Sequence, residues 1–409
     1  MMSVSLAVSG VTYAHSSPPS SVTSTAKRAN TSPPNSHGAL RRRGFGSSFK
    51  LSCLSARSDI TGLRVYHAPR RERRRTTSAD RSADMTPLDI FLNRHDRLRS
   101  GWRLAIFWAL DHAVAVALVT TIYAVVFLAT HETRAQIIGR LTGALAYPLQ
   151  FFIMFVPAVL LGWTCGRLFE DVPWRALGWT IHRGWLRNFL WGTLLGAGAL
   201  ALATLISTLG GGFHFALGAP GLTREFAKTF VGAAGVYVLL GAGEEALFRG
   251  YPLQTMMRSL PFVIAVVPSS ILFAYLHLNN PNLPNGSRLV VMILNTTLAG
   301  VWMAVGFWRT RSMWLPLGLH WAWNWTMGSL LGLPVSGITN LTRAPLLRAT
   351  DTGSQWLTGG TYGLEGGLAC TAALIIATIF LWRTRRFKPA EELKIYTDGE
   401  LPKNVDREA

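Results

Sequence analysis

The chain has 409 residues, 49% hydrophobic and 15% charged, with 15 Trp and a mean hydropathy of +0.26. Soluble domains carry about 25% charged residues, and several apolar runs between Gly101 and Arg383 reach the roughly 20 residues that cross a bilayer, which excludes an ordinary water-soluble globule. The formal charge of +19 does not mark a nucleic-acid binder: +10 of it falls in residues 1–84, and the rest sits mostly beside apolar runs, where arginines set membrane orientation.

Residues 1–58 hold 19 Ser/Thr, seven Lys/Arg and no acid. Without apolar periodicity such a stretch cannot bury enough surface to fold. Residues 1–84 therefore read as a disordered leader. One reading is an organellar transit peptide; the other, preferred here, is that translation begins at Met85, whose text MTPLDIFLNRHDRLRSGW resembles the basic lead-in of bacterial membrane proteins. The corresponding localisations are an organellar membrane and a bacterial plasma membrane.

The expected fold is all-α, a polytopic bundle of about eight transmembrane helices. The apolar spans are 104–129, 143–165, 188–209, 228–258, 261–278, 288–308, 312–332 and 366–382. The fourth is too long for a simple crossing and should project beyond the bilayer. The chain divides into the leader 1–84, helices one to three in 85–225, a core in 226–332, an outer loop and last helix in 333–382, and a tail in 383–409.

Arginines give the direction. With the N-terminus inside, the cytoplasmic segments collect Arg94, Arg97, Arg99 and Arg103, then Arg167, Arg175, Arg183 and Arg187, then Arg258, Arg309 and Arg311, and last Arg383, Arg385, Arg386 and Lys388. The other side holds Arg134, Arg140, Arg224 and Arg288, with Arg343 and Arg348 in a longer loop. The asymmetry places both termini inside.

Cys53, Cys165 and Cys370 form no CxxC pair and support neither a disulfide framework nor a zinc ribbon. The latter two read as core or lipid-facing residues.

Ionisable groups inside a bilayer are costly and mark function. The spans hold Asp111, Glu244 and Glu245. Arg249 lies at i+4 from Glu245 and can pair with it on one helix face, which leaves Glu244 as a free carboxylate able to accept a proton from water. A structural ion pair locking two helices is the plainer reading of that motif. Phe273–His277 ends the fifth span, and His320 and Asn324 lie one helical turn apart on one face of the seventh. Glu244 stands 17 residues before Pro261 and His277 stands 16 after it; at 1.5 Å per residue each is about 25 Å up its helix, so the two share a depth.

Less is expected of other polar residues. Asp111 and His112, near the cytoplasmic end of the first span, could form a relay pair or snorkel to the interface. His131, His182 and His214 fall in loops and should be solvated. Gly210–Gly212 reads as a span-ending turn, and Asn279–Asn282 as a turn.

In order on consecutive helices, EExxxR, FxxxH and HxxxN resemble the three motifs of the CAAX-protease and bacteriocin-processing family of intramembrane endopeptidases, over roughly residues 226–332. The resemblance implies that Glu244 activates the attacking water, that His277 holds that water, that His320 and Asn324 stabilise the oxyanion, and that Glu245 and Arg249 support them. Hydrolysis without a cofactor is expected, since the two His come from separate helices. Zinc at Glu244, His277 and His320 is the alternative, although no HExxH is present. The expected partners are the lipid bilayer and a membrane-embedded or lipidated protein or peptide substrate, with no nucleic acid. A non-catalytic scaffold or immunity-type binding protein of the same fold is the competing function, and a proton-relay transporter, for which inverted repeats are missing, comes third.

Overall fold

The computed structural model describes residues 87–399, apart from 94–95, 142–145, 219–220, 340 and 343. The leader assigned to residues 1–84 lies outside the described residues, as does the end of the tail.

Helices dominate the described chain. Helix α1 spans Ser100–Thr130, the short α2 Arg134–Leu141, α3 Ala146–Glu170 and α4 Trp185–Leu209. After strand β1 (Phe213–Leu217) come α5 (Arg224–Phe248), α6 (Tyr251–Ser259), α7 (Phe262–His277), α8 (Ser287–Thr310) and α9 (Trp314–Trp325). A π-helical turn, Thr326–Leu330, prolongs α9. Strand β2 (Leu347–Asp351) and α10 (Leu368–Arg383) follow.

Each expected span has a helix, and five stretches are long and apolar enough to cross a membrane: α1, α3, α4, α5 with α6, and α8. Helices α7 and α10 are apolar but shorter. Leu128, Leu194, Ile271 and Ile379 face outward, the surface that a lipid solvent allows and water would penalise. This is an integral membrane protein.

Two expectations need correction. The fourth span is not one rod: α5 ends at Phe248 and α6 restarts at Tyr251, with Pro252 in its first turn, where a missing N–H costs nothing. The chain is also not wholly helical. Strands β1 and β2 pair antiparallel, Phe213 opposite Asp351 and Leu217 opposite Leu347. Both follow spans whose apolar signal is far stronger than that of a five-residue strand, so neither stands out in the sequence.

Small residues bring the helices close. Gly192 and Gly196, four apart on α4, meet α9 so closely that a Cβ on either would strike the carbonyls of Leu315 and Leu319. This is the small-xxx-small device by which helices pack where lipid removes the hydrophobic drive.

The two ends of the bundle are knitted separately. At the end carrying the start of α1, the tail bonds back: Ala390 N–H donates to Thr310 O at 2.9 Å, Arg258 Nε to Tyr396 O at 2.8 Å, and Arg311 pairs with Asp398 at 2.7 Å. Beside them Glu170 takes Arg103 at 2.7 Å and Arg258 at 3.0 Å, all three buried. At the other end Asn280 and Asn282, between α7 and α8, donate to Ser336 O at 3.0 Å and Gly337 O at 2.8 Å. That turn thus also clamps the segment after α9.

Candidate active site

The last turns of α5 read Gly241-Ala242-Gly243-Glu244-Glu245, and all five residues are buried. Side chains this small let α9 and α3 press against a helix that carries two acids. Glu245, fully buried, accepts from Arg249 Nη1 at 3.1 Å, the i,i+4 pair expected from sequence. Arg249 caps α5. Its Nη2 donates to Gly300 O on α8 at 3.3 Å, and its guanidinium lies over the Phe273 ring, 4.5 Å from the centroid.

Glu245 does more than hold Arg249. Its Oε1 also accepts a hydrogen bond from His320 Nδ1 at 2.8 Å. A carboxylate only accepts, so the proton sits on Nδ1 and the ring is turned with Nε2 away from Glu245. That Nε2 stands 3.6 Å from Glu244 Oε2, just too long for a direct hydrogen bond. The three groups form a relay: Glu245 orients His320, and His320 faces Glu244. No cross-helix pairing of this kind can be read from the motif spacing.

His277 ends α7. Its Nδ1 donates to the carbonyl of Phe273, one turn back, at 2.8 Å; since a carbonyl can only accept, Nε2 is left with a lone pair. Phe273 packs against both imidazoles, its ring centroid 4.5 Å from that of His277 and edge-on to His320 at 6.2 Å. The FxxxH spacing therefore places an aromatic partition as well as an imidazole.

Glu244, His277, His320 and Asn324 line one cavity, enclosed by α5, α7, α8, α9, α10 and the segment after α9. Its volume is about 60 Å³, against the roughly 10–15 Å³ that one water needs. Asn324 is half-buried and its side chain makes no hydrogen bond among the described residues, so its amide is available to a guest. Glu244 and His277 line the same cavity although the fourth span breaks after Phe248, between Glu244 and the turn at Pro261.

Three cavity residues carry no sequence signal of their own. Glu365, in a loop before α10, accepts from Trp323 Nε1 at 3.0 Å and from the backbone and hydroxyl of Ser336 at 2.6 and 2.8 Å. Asn295 donates to Glu365 O at 2.8 Å and Gly367 O at 2.9 Å, which ties that loop to α8. Nothing in sequence brings residues 295, 336 and 365 together; an acid in a loop looks solvated.

Two other expectations change. His182 is buried rather than solvated, with Nε2 2.8 Å from Ser312 Oγ. Asp111 does not snorkel: it is 8% exposed, and its Oδ1 has no hydrogen-bond partner among the described residues. With the exposed His112 it lines a separate outward pocket beside Ile153 and Leu272. His131 and His214 are exposed, Gly210–Gly212 does end α4, and Cys165 and Cys370 are buried. Among the described residues no three His, Cys, Asp or Glu side chains converge as a metal-binding group.

Residues 226–326 match the family model described as type II CAAX prenyl endopeptidase, Rce1-like. The matched stretch, about a quarter of the chain, contains Glu244, Glu245, Arg249, His277, His320 and Asn324. The chain carries a CAAX-protease family domain there. No curated protein and no solved structure matches the chain.

Proposed function

We propose that this membrane protein, which carries a CAAX-protease domain over residues 226–326, is an intramembrane endopeptidase that hydrolyses a membrane-associated peptide or protein with a glutamate-activated water. The observation that carries this reading is the Glu245–His320–Glu244 relay at the wall of a cavity that His277 and Asn324 also line. Peptide hydrolysis needs a base, an attacking water and donors aimed at the developing oxyanion, and this lining supplies base and donors, with room for the water, without a nucleophilic Ser.

In the proposed mechanism water enters between Glu244 and His277. His277 Nε2 accepts one hydrogen of that water while Glu244 takes the other as the oxygen attacks the peptide carbonyl. The carbonyl oxygen gains the negative charge, and Asn324 Nδ2 donates to it. His320, facing Glu244 at 3.6 Å, when doubly protonated donates an Nε2–H hydrogen bond to the same oxyanion and keeps its proton as the carbonyl re-forms. As the C–N bond breaks, the proton held by Glu244 passes to the leaving amine, which restores the carboxylate. Glu245 keeps its charge throughout, as the buried acid behind a catalytic imidazole does in acyl-transfer triads. Eight crossings, with α7, α9 and α10 among them, complete the reading.

The first test is Glu244→Gln. Gln keeps the shape and cannot take the proton, so proteolysis should vanish while yield and melting temperature stay. A proteomic comparison of membranes bearing each form should show client fragments only with the native chain. Equal fragment patterns would instead leave the fold as a scaffold.

A further inference from the structure

We infer that Asp111 is the floor of a second ligand site, a crevice open to lipid that takes an amphiphile with a primary amine on an aliphatic chain. The inference stands apart from the endopeptidase reading and uses none of its residues.

The proposed chemistry leaves Asp111 without a task. It lies nine residues beyond Trp102, about 13 Å along α1. With Trp102 in the interfacial belt, that depth falls inside the roughly 30 Å hydrocarbon layer. An acid there is costly, and such acids are found paired. Asp111 is buried, and its Oδ1 has no hydrogen-bond partner among the described residues.

The carboxyl lines a crevice of about 260 Å³, backed by Met154 on α3, Leu247 on α5 and Leu272 on α7. This crevice and the cavity at Glu244 share no described residue. Aromatic rings stand between them: Trp108 is 5.5 Å from Phe248, and Phe248 meets Phe273 edge-on at 5.0 Å.

The crevice opens sideways. His112 and Tyr275 in its lining are exposed, and Trp108 and Leu272 are half-buried. The bundle covers α1 only as far as Asp111 and Ala115; from there to Thr130 no residue of the helix is buried.

The lining selects the ligand. Among the described residues it holds neither Lys nor Arg, and His112, the next residue, points about 100° away around the helix. The occupant must therefore bring its own donors. An ammonium brings three and also cancels the carboxylate charge, an attraction far stronger at low dielectric than in water. A neutral amine that takes the proton of the carboxylic acid gives the same ion pair as an ammonium that meets the carboxylate, so the bound pair carries no net charge. Trp108 and Tyr275 offer ring faces to the cation. The remaining lining is apolar and matches an aliphatic chain. A partner helix fits poorly, because close helix approach uses small residues and the mouth carries Trp, Leu and Tyr.

The test puts the full chain in phosphatidylcholine nanodiscs and measures saturable binding of radiolabelled dodecylamine, with empty nanodiscs subtracted. The native chain should bind one amine. Dodecanol, which lacks the charge, and dodecyltrimethylammonium, which lacks the N–H, should each compete about tenfold less well or worse. Asp111→Asn keeps the shape and removes the charge, and should weaken binding by about tenfold or more. Leu272→Trp fills the crevice, leaves Asp111 in place and should abolish binding; it decides the matter where the melting curve shows Asp111→Asn to be misfolded. Glu244→Gln should bind dodecylamine as the native chain does. Equal affinity in native and Asp111→Asn overturns the inference, as does dodecanol competing as well as the amine. Binding that survives Leu272→Trp, or that is lost in Glu244→Gln, places the amine elsewhere and overturns it too.

Discussion

His320 Nδ1 lies 2.8 Å from Glu245 Oε1, so the second acid of the Glu-Glu pair orients the imidazole that the first acid faces. Glu245 is thus a positioning residue as well as the partner of Arg249. That double engagement separates the two acids by role: one is fully buried and twice bonded, while the other opens on the cavity.

Glu245→Gln should lower turnover by about 10- to 100-fold, the usual cost of losing the group that orients a working imidazole. The effect should fall on kcat rather than KM, since Glu245 does not line the cavity. Steady-state kinetics on the purified chain decide it. Unchanged kcat would show that His320 needs no orientation from Glu245.

Arg249→Ala leaves Glu245 buried without its cation. One-sided loss of a buried pair costs on the order of 3–5 kcal/mol, so thermal melting in detergent should show a marked loss of stability. Glu245→Gln with Arg249→Met removes both charges and should regain much of that stability. It should not regain activity, because His320 still lacks its carboxylate. Full recovery of activity in the double variant would return Glu245 to a purely structural role.

Gly196→Val should destabilise by roughly 1–3 kcal/mol, the usual cost of overpacking. Its side chain would meet the Leu319 carbonyl, immediately before His320. Activity should fall as α9 shifts. Melting curves and turnover measured together test this, and a variant as stable and active as the native chain would show that α4 and α9 can separate freely.

Hydrolysis should survive metal chelation. Incubation with 1,10-phenanthroline and then assay is expected to leave the rate within about twofold, because water activation is assigned to Glu244 rather than to a metal-lowered water pKa. Loss of activity that added zinc restores would move Glu244, His277 and His320 into a ligand set.

Much of the helical layout is legible in the amino-acid sequence. Apolar runs locate helices because a bilayer leaves the backbone few alternatives to an internally bonded helix. The Glu245–Arg249 pair follows from 3.6 residues per turn alone. His182 and Asp111 depart from expectation for a common reason: position along the chain says how far a residue stands from a span end, and nothing about which neighbours cover it. His182 sits in a loop and is buried because the turn at Ser312 folds onto it.

Local sequence therefore determined what depends on neighbours within a few turns: where the spans lie, the i,i+4 ion pair, and the one-face placement of His320 and Asn324. Tertiary structure decided what depends on the rotation and separation of helices far apart in the chain. It set the contact of His320 with Glu245 across 75 residues, the anchoring of Ser336 by Glu365, and the meeting of Glu244, His277, His320 and Asn324 in one cavity. Helix periodicity is a property of the backbone, repeated at every turn. The angle at which α5 meets α9 is settled only when a small residue such as Gly241 finds an opposing surface, His320 and Leu317, close enough to pack.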